Sequence, residues 1–236
     1  MNATTYTRLT RQQIARIVAH DIPDGAVVNL GIGMPTLVSD YLPAEREIVM
    51  HSENGILGMG SLAGKGQGDP DLINASRQAI HLLPGASISE HTVSFAMMRG
   101  GHLDYTVLGG FQVAENGDLA NWITDAGDAI PAVGGAMDLA VGARHVYITM
   151  EHVTREGAPK LLRRCSYPLT ASGVVDRVYT DLAVLDIGPR GFEVRAMVEG
   201  ITLEQLQALT AAPLHTPRAP QRIRTAQEGT ACHAGT

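Results

Sequence analysis

The residue in this sequence best placed to do chemistry is a carboxylate on a tight turn. Glu53 stands in Met50-His51-Ser52-Glu53-Asn54-Gly55-Ile56-Leu57-Gly58, directly after a run of strand-type residues. A glutamate with a pKa of about 4.3 is ionised at neutral pH and can attack an activated carbonyl without a general base. Asn54-Gly55 suits a turn, because both residue types tolerate positive φ. In open α/β sheets the carboxyl ends of the strands face the ligand crevice, which is where this glutamate would stand. By residue type alone, a solvated loop carboxylate is the simpler reading. Ser52 and Asn54 then shape the turn and bond to nearby backbone.

Other chemistries find less support. Gly31-Ile32-Gly33 before a helix has the start of a dinucleotide-binding fingerprint, but Thr36 stands where the third glycine belongs. That turn either shapes a ligand pocket or serves structure alone. His51, His81, His91, His102, His145 and His152 lack the spacing of a metal site, and no G-x-S-x-G elbow presents a serine nucleophile.

The elements that would position Glu53 can be read along the chain. Thr10 and Gln13 form a T-x-x-Q capping box, with Ile14, Ile17, Val18 and Ile22 at helical spacing, so a helix is expected from Thr10 to His20. A strand follows at Ala26–Leu30, then a helix with Pro35 in its first turn, then a strand at Glu47–His51. The glycine-rich stretch Gly58–Gly68 reads as a mobile loop, and Asp71–His81 and Thr202–Leu209 as helical. Further strands are expected at Tyr105–Leu108, Val146–Met150 and Leu182–Leu185, with Leu108-Gly109-Gly110-Phe111 as a strand end. The predicted class is α/β, an open, mainly parallel sheet flanked by helices. Residues 1–214 form one domain. Residues 215–236, poor in large apolar side chains, are expected to be a disordered tail.

Composition narrows the setting. The chain has 236 residues, 44% hydrophobic and 18% charged, enough apolar material for one large core. A net charge of −6 without a Lys/Arg cluster argues against nucleic acid as a partner. Neither a signal peptide nor an apolar run of membrane-spanning length is present, and Cys165 and Cys232 are too few for a disulfide framework. A cytoplasmic protein without membrane association is expected.

The H-S-E-N-G run followed by two aliphatics and a glycine resembles the active-site signature of the second subunit of family I CoA-transferases. The resemblance extends through Asn29–Thr36, Arg99–Asp104, Gly117–Trp122, Gly134–Leu139, Tyr167–Thr170 and Tyr179–Leu182, and so covers about residues 10 to 214. It implies a CoA-transferase fold and a ping-pong reaction in which Glu53 is the nucleophile and carries CoA as a glutamyl thioester. It implies that a backbone amide of the Gly134-Gly135 stretch, Gly134 first, donates to the oxyanion. It implies that Gly31, Gly33, Asn54, Gly55 and Gly135 line the acyl or CoA pocket. CoA thioesters and small acids would be substrates, with no cofactor bound permanently.

This chain carries no first-subunit signature, so the resemblance further implies a partner, the first CoA-transferase subunit, in a heterodimer or heterotetramer. The implied donor is succinyl-CoA and the acceptor a 3-oxo acid. Ala129-Ile130-Pro131-Ala132-Val133, Cys165–Thr170 and Arg177–Asp181 resemble 3-oxoadipate enzymes, with acetoacetate as the alternative acceptor. The second carboxylate of 3-oxoadipate needs a cationic partner. Outside this class stands a ligand-binding relative that forms no covalent adduct.

Overall fold

The computed structural model describes residues 6–64, 66–124 and 132–225. Helix α1 (Arg11–Asp21) begins at the expected capping box, with Gln13 N–H donating to Thr10 Oγ1 and Thr10 N–H to Gln13 Oε1. Its Ile14, Ala15, Val18 and Ala19 are buried, so the apolar spacing in the sequence is the face turned to the core. Strand β1 (Val27–Leu30) leads through the Gly31–Gly33 turn into a 3-10 helix (Met34–Tyr41) with Pro35 in its first turn. Strand β2 (Val49–Ser52) follows, and Glu53 begins the turn into β3 (Ile56–Leu62) and β4 (Ile80–Ile88).

Helix α2 (His91–Arg99) precedes β5 (Tyr105–Gly109) and the short β6 (Gln112–Ala114) and β7 (Leu119–Ala120). Helix α3 (Ala136–Gly142), β8 (His145–Met150) and β9 (Leu161–Leu162) come next, followed by β10 (Arg177–Thr180), β11 (Ala183–Gly188) and β12 (Gly191–Val198). Helix α4 (Leu203–Ala208), β13 (Leu214–His215) and β14 (Gln221–Ile223) complete the described chain.

One large sheet orders its strands β13-β12-β11-β10-β8-β5-β1-β2-β3-β4, with β14 also on β12. The five central strands, β2, β1, β5, β8 and β10, run parallel. Val28, Val107, Ile148 and Val178 on four of them are fully buried, as expected of parallel strands covered on both faces. Antiparallel hairpins extend the sheet on either side. β6, β7 and β9 form a separate small sheet. The class is the expected α/β arrangement, a mixed sheet with a parallel centre flanked by helices.

Three expectations are corrected. The stretch read as a loop from Gly58 opens as strand β3, which runs to Leu62 and whose glycines accommodate irregular pairing with β4: a Cβ on Gly58 would lie 3.0 Å from Ala86, at φ +86°. Asp71–Ala79 is a turn closed by an Ile73–Ala79 bridge and not a helix, and Ile80 and His81 already belong to β4. Asn74 Oδ1 accepts the N–H groups of Ser76 and Gln78, and Arg77 adopts φ +61°, a local alternative that a helix cannot match. Within the stretch expected to be a disordered tail, Gln221–Ile223 form strand β14 and pair with Ala196–Val198 of β12. Cys232 and Ala129–Pro131 lie outside the described residues.

Candidate active site

The carboxyl ends of β1, β2, β5 and β8 open into one cavity of about 580 Å³. Each strand contributes its last residues or the turn after it: Leu30-Gly31 after β1, Ser52-Glu53 after β2, Leu108–Phe111 at β5 and Thr149–Glu151 at β8. Ligand crevices of open parallel sheets lie at this end of the strands. Glu53 faces the cavity from the β2–β3 turn. That turn is closed by Gly55 N–H donating to the Ser52 carbonyl at 3.0 Å.

The supports of the turn are polar contacts to the loop beside it. Ser52 Oγ, buried, accepts the Ala75 N–H at 3.0 Å, and the Asn54 amide donates to the Ile73 carbonyl at 2.8 Å. Gly55 has φ +116°, and any side chain there would overlap the Ser89 carbonyl oxygen, so only glycine fits. Behind the turn, His51 is buried between Asn29 Nδ2 (3.0 Å from Nδ1) and Ser94 Oγ (2.9 Å from Nε2). Because the Asn29 amide donates to Nδ1, the His51 proton resides on Nε2 and points to Ser94. Burial lowers the His51 pKa to about 4, so the ring is neutral and structural.

Glu53 is half-buried, and burial raises its pKa above the ordinary value. The charge of His91 works against that rise and the charge of Asp138 adds to it. Asp138 belongs to α3 and is held by Arg99 Nε of α2 at 2.7 Å. A carboxylate kept out of water is more reactive once ionised, since less of its charge is tied up by solvent.

Gly135 caps α3 and packs directly on Glu53: a Cβ there would overlap Oε2 and lie 2.9 Å from Cδ. Gly134, at φ +55°, precedes it and also lines the cavity. Of the residues expected to line a pocket, Gly31 and Gly135 do so with Glu53 and Gly134. Gly33 serves as cap of the 3-10 helix, Asn54 is exposed with its amide turned to Ile73, and Gly55 is buried beneath Ser89. These three act on the turns and not as cavity walls.

Sequence reading missed the cations of this cavity, Arg11 and Lys160. Neither sits in a motif. Arg11 opens α1 and pairs with Glu151 at 3.2 Å. Lys160 comes from the segment before β9, brought to the end of β8 by its N–H bond to the His152 carbonyl. No group of three His, Cys, Asp or Glu side chains among the described residues is arranged to hold a metal ion, and no described helix is long and apolar enough to cross a membrane.

At the ligand end of its parallel strands the α/β sheet thus presents a half-buried carboxylate, Glu53, against a glycine pair. The chain belongs to the coenzyme A transferase family, whose model matches residues 11–209. It is 55% identical over 210 residues to the second subunit of the 3-oxoadipate CoA-transferase of Acinetobacter baylyi, covering 89% of this chain and 97% of that one. It is 53% identical over 211 residues to the second subunit of the Pseudomonas putida enzyme of the same name, covering 89% and 99%. Its fold is similar to that of an acyl-CoA transferase apoenzyme from Escherichia coli O157:H7, with a TM-score of 0.71 at 16% identity. That likeness takes in 94% of this chain and 44% of the longer chain, so this chain spans less than half of it.

Proposed function

We propose that this chain is the glutamate-bearing second subunit of a 3-oxoadipate CoA-transferase, working with the first subunit in the cytoplasm as a heterodimer or heterotetramer. The observation that carries the reading is the Glu53 carboxylate seated against Gly135 at the carboxyl end of the parallel sheet. The identity to two relatives that bear the 3-oxoadipate name supports the choice of acceptor. Ile32, Leu62 and Phe111, large apolar residues exposed among the cavity's walls, support a partner that covers this face.

The reaction balances through Glu53 without a resident cofactor. A Glu53 oxygen attacks the thioester carbonyl of succinyl-CoA. The C–S bond breaks, CoA leaves as thiolate, and a succinyl-glutamyl anhydride remains. The thiolate then attacks the Glu53 carbonyl carbon, the anhydride C–O bond breaks, and succinate leaves with Glu53 held as its CoA thioester. A carboxylate of 3-oxoadipate attacks that thioester and reverses the sequence, so 3-oxoadipyl-CoA departs and Glu53 is a free carboxylate again. Each addition places negative charge on a carbonyl oxygen. A backbone N–H at Gly134 is the proposed donor, and one well-placed donor is worth about 2.7–4 kcal/mol in such a step.

The test is intact mass spectrometry of the assembled complex after brief exposure to succinyl-CoA, beside Glu53→Ala. A mass gain of one CoA on the native chain alone, mapped to Glu53, is expected. Turnover without such an adduct would remove the glutamyl-thioester mechanism.

A further inference from the structure

We propose that the Lys160 ammonium binds the free carboxylate of a dicarboxylic acyl group carried on Glu53, and so sets a preference for acids with a second carboxylate. This rests on the reading of Glu53 as nucleophile.

The argument starts from the charges in the cavity. Of its two lining cations, Arg11 is already paired, its Nε and Nη2 lying 3.3 and 3.2 Å from Glu151 Oε1. Lys160 has no carboxylate within 4.0 Å among the described residues, although it is half-buried. The two carboxylates that influence it are engaged elsewhere: Glu151 with Arg11, and Asp181 with Arg8 at 2.6 Å and the His152 N–H at 2.7 Å. A partly desolvated ammonium without a counter-ion is unfavourable, and an anionic group arriving with substrate would supply the missing charge. Burial lowers the Lys160 pKa, while Glu151 and Asp181 oppose that shift.

Placement agrees with chemistry. Glu53 follows β2, and Lys160 bonds through its N–H to His152, just beyond β8. Strands β1 and β5 lie between, so the ends of β2 and β8 stand three strand spacings apart, about 14 Å across the cavity. The flexible stem of lysine and the glutamate side chain both reach inward from these positions, leaving room for a short acyl chain between them. Thr149 Oγ1, buried and without a hydrogen-bond partner among the described residues, lines the same cavity from the end of β8 and offers a second donor. Succinyl and 3-oxoadipyl groups each keep one carboxylate free when the other end is joined to Glu53. A monocarboxylic acyl group has none to offer Lys160.

The experiment uses the assembled complex, with succinyl-CoA as donor and two six-carbon acceptors, 3-oxoadipate and 3-oxohexanoate, which differ only in the distal carboxylate. In a ping-pong scheme, kcat/KM for the acceptor reports only the half-reaction that consumes it. The native complex is expected to prefer 3-oxoadipate, and Lys160→Met to reduce the ratio of the two kcat/KM values about tenfold to a hundredfold by acting on 3-oxoadipate alone. Lys160→Arg, which keeps the charge, is expected to retain most of the ratio, and decides the matter if the methionine variant does not fold. A native ratio near one, a ratio unchanged in Lys160→Met, or a ratio lost in Lys160→Arg overturns the proposal. Any of these beside an intact CoA adduct on native Glu53 overturns this assignment alone, whereas absence of that adduct overturns the parent reading and this one with it.

Discussion

The Glu53 carboxylate rests on the α-carbon of Gly135, with no room between them for even a methyl group. The backbone of Gly135, at φ −77° and ψ −2°, would accept any residue, so the demand for glycine here comes from the carboxylate and not from the chain. Two segments far apart in sequence therefore meet at one atom pair, and the position of the carboxylate depends on both.

Gly135→Ala should consequently damage activity far more than stability. Displacing a reacting group by about 1 Å costs on the order of a hundredfold in rate, and the formation rate of the CoA adduct is expected to fall at least that far. The unfolding free energy should change by about 1 kcal/mol or less, since alanine suits this backbone. A large loss of stability with adduct formation preserved would contradict the close packing.

The pH dependence of activity follows from the surroundings of Glu53. Its pKa is raised, chiefly by burial, so its ionised form, the nucleophile of the proposed mechanism, is lost at a higher pH than for an ordinary glutamate as the solution is acidified. The acid limb of kcat/KM is expected on the alkaline side of where an ordinary glutamate would place it. Asp138→Asn, which removes a charge that raises the pKa, should move that limb down, and His91→Asn, which removes an opposing charge, should move it up. The sign for stability is opposite to that of a salt-bridged carboxylate. The native state holds the Glu53 proton more tightly than the unfolded chain, so stability falls as pH rises through the raised pKa. Glu53→Gln should be more stable than native near neutral pH, with the difference shrinking in acid.

Much of this arrangement was legible because it is written locally. The capping box at Thr10 and Gln13, the β1 run, and the Asn-Gly turn after β2 are each determined by a few adjacent residues. The β3–β4 hairpin was not legible, because its glycines serve irregular pairing with a partner strand, and glycine-rich segments otherwise signal loops. Asn74 was misread within a helical stretch because its side chain competes for backbone N–H groups in a way that periodicity does not register. Lys160 and Arg11 carried no local signal, since their place in the cavity arises only when β8 and α1 are set against the sheet.

Gly55→Ala tests the turn itself. At φ +116°, a Cβ would overlap the Ser89 carbonyl, whose neighbouring N–H bonds back to the Gly55 carbonyl at 2.8 Å. Relief requires the turn to move away from Ser89 and carry Glu53 with it. Strain of this kind costs about 1–3 kcal/mol, so a lowered denaturation midpoint together with a slowed CoA-adduct reaction is expected. Loss of stability without loss of rate would show that Glu53 is held independently of the turn.

Acid should unfold the chain through two histidines. His51 and His152 are buried and neutral, each lowered by burial from 6.5 to about 4. His152 lies between Thr180 and Thr210 hydroxyls, each 2.9 Å from a ring nitrogen. In the unfolded chain both rings take up a proton near their ordinary pKa, while the native state refuses it. Their contribution is therefore intact above 6.5 and declines as pH falls toward 4, by roughly 3 kcal/mol apiece over the whole window. Urea unfolding measured between about pH 7 and pH 5 should show this slope, and His152→Gln should remove about half of the part the two histidines supply, whatever its effect on stability at neutral pH. An unchanged slope in that variant would mean that His152 titrates normally and that the fall in stability arises elsewhere.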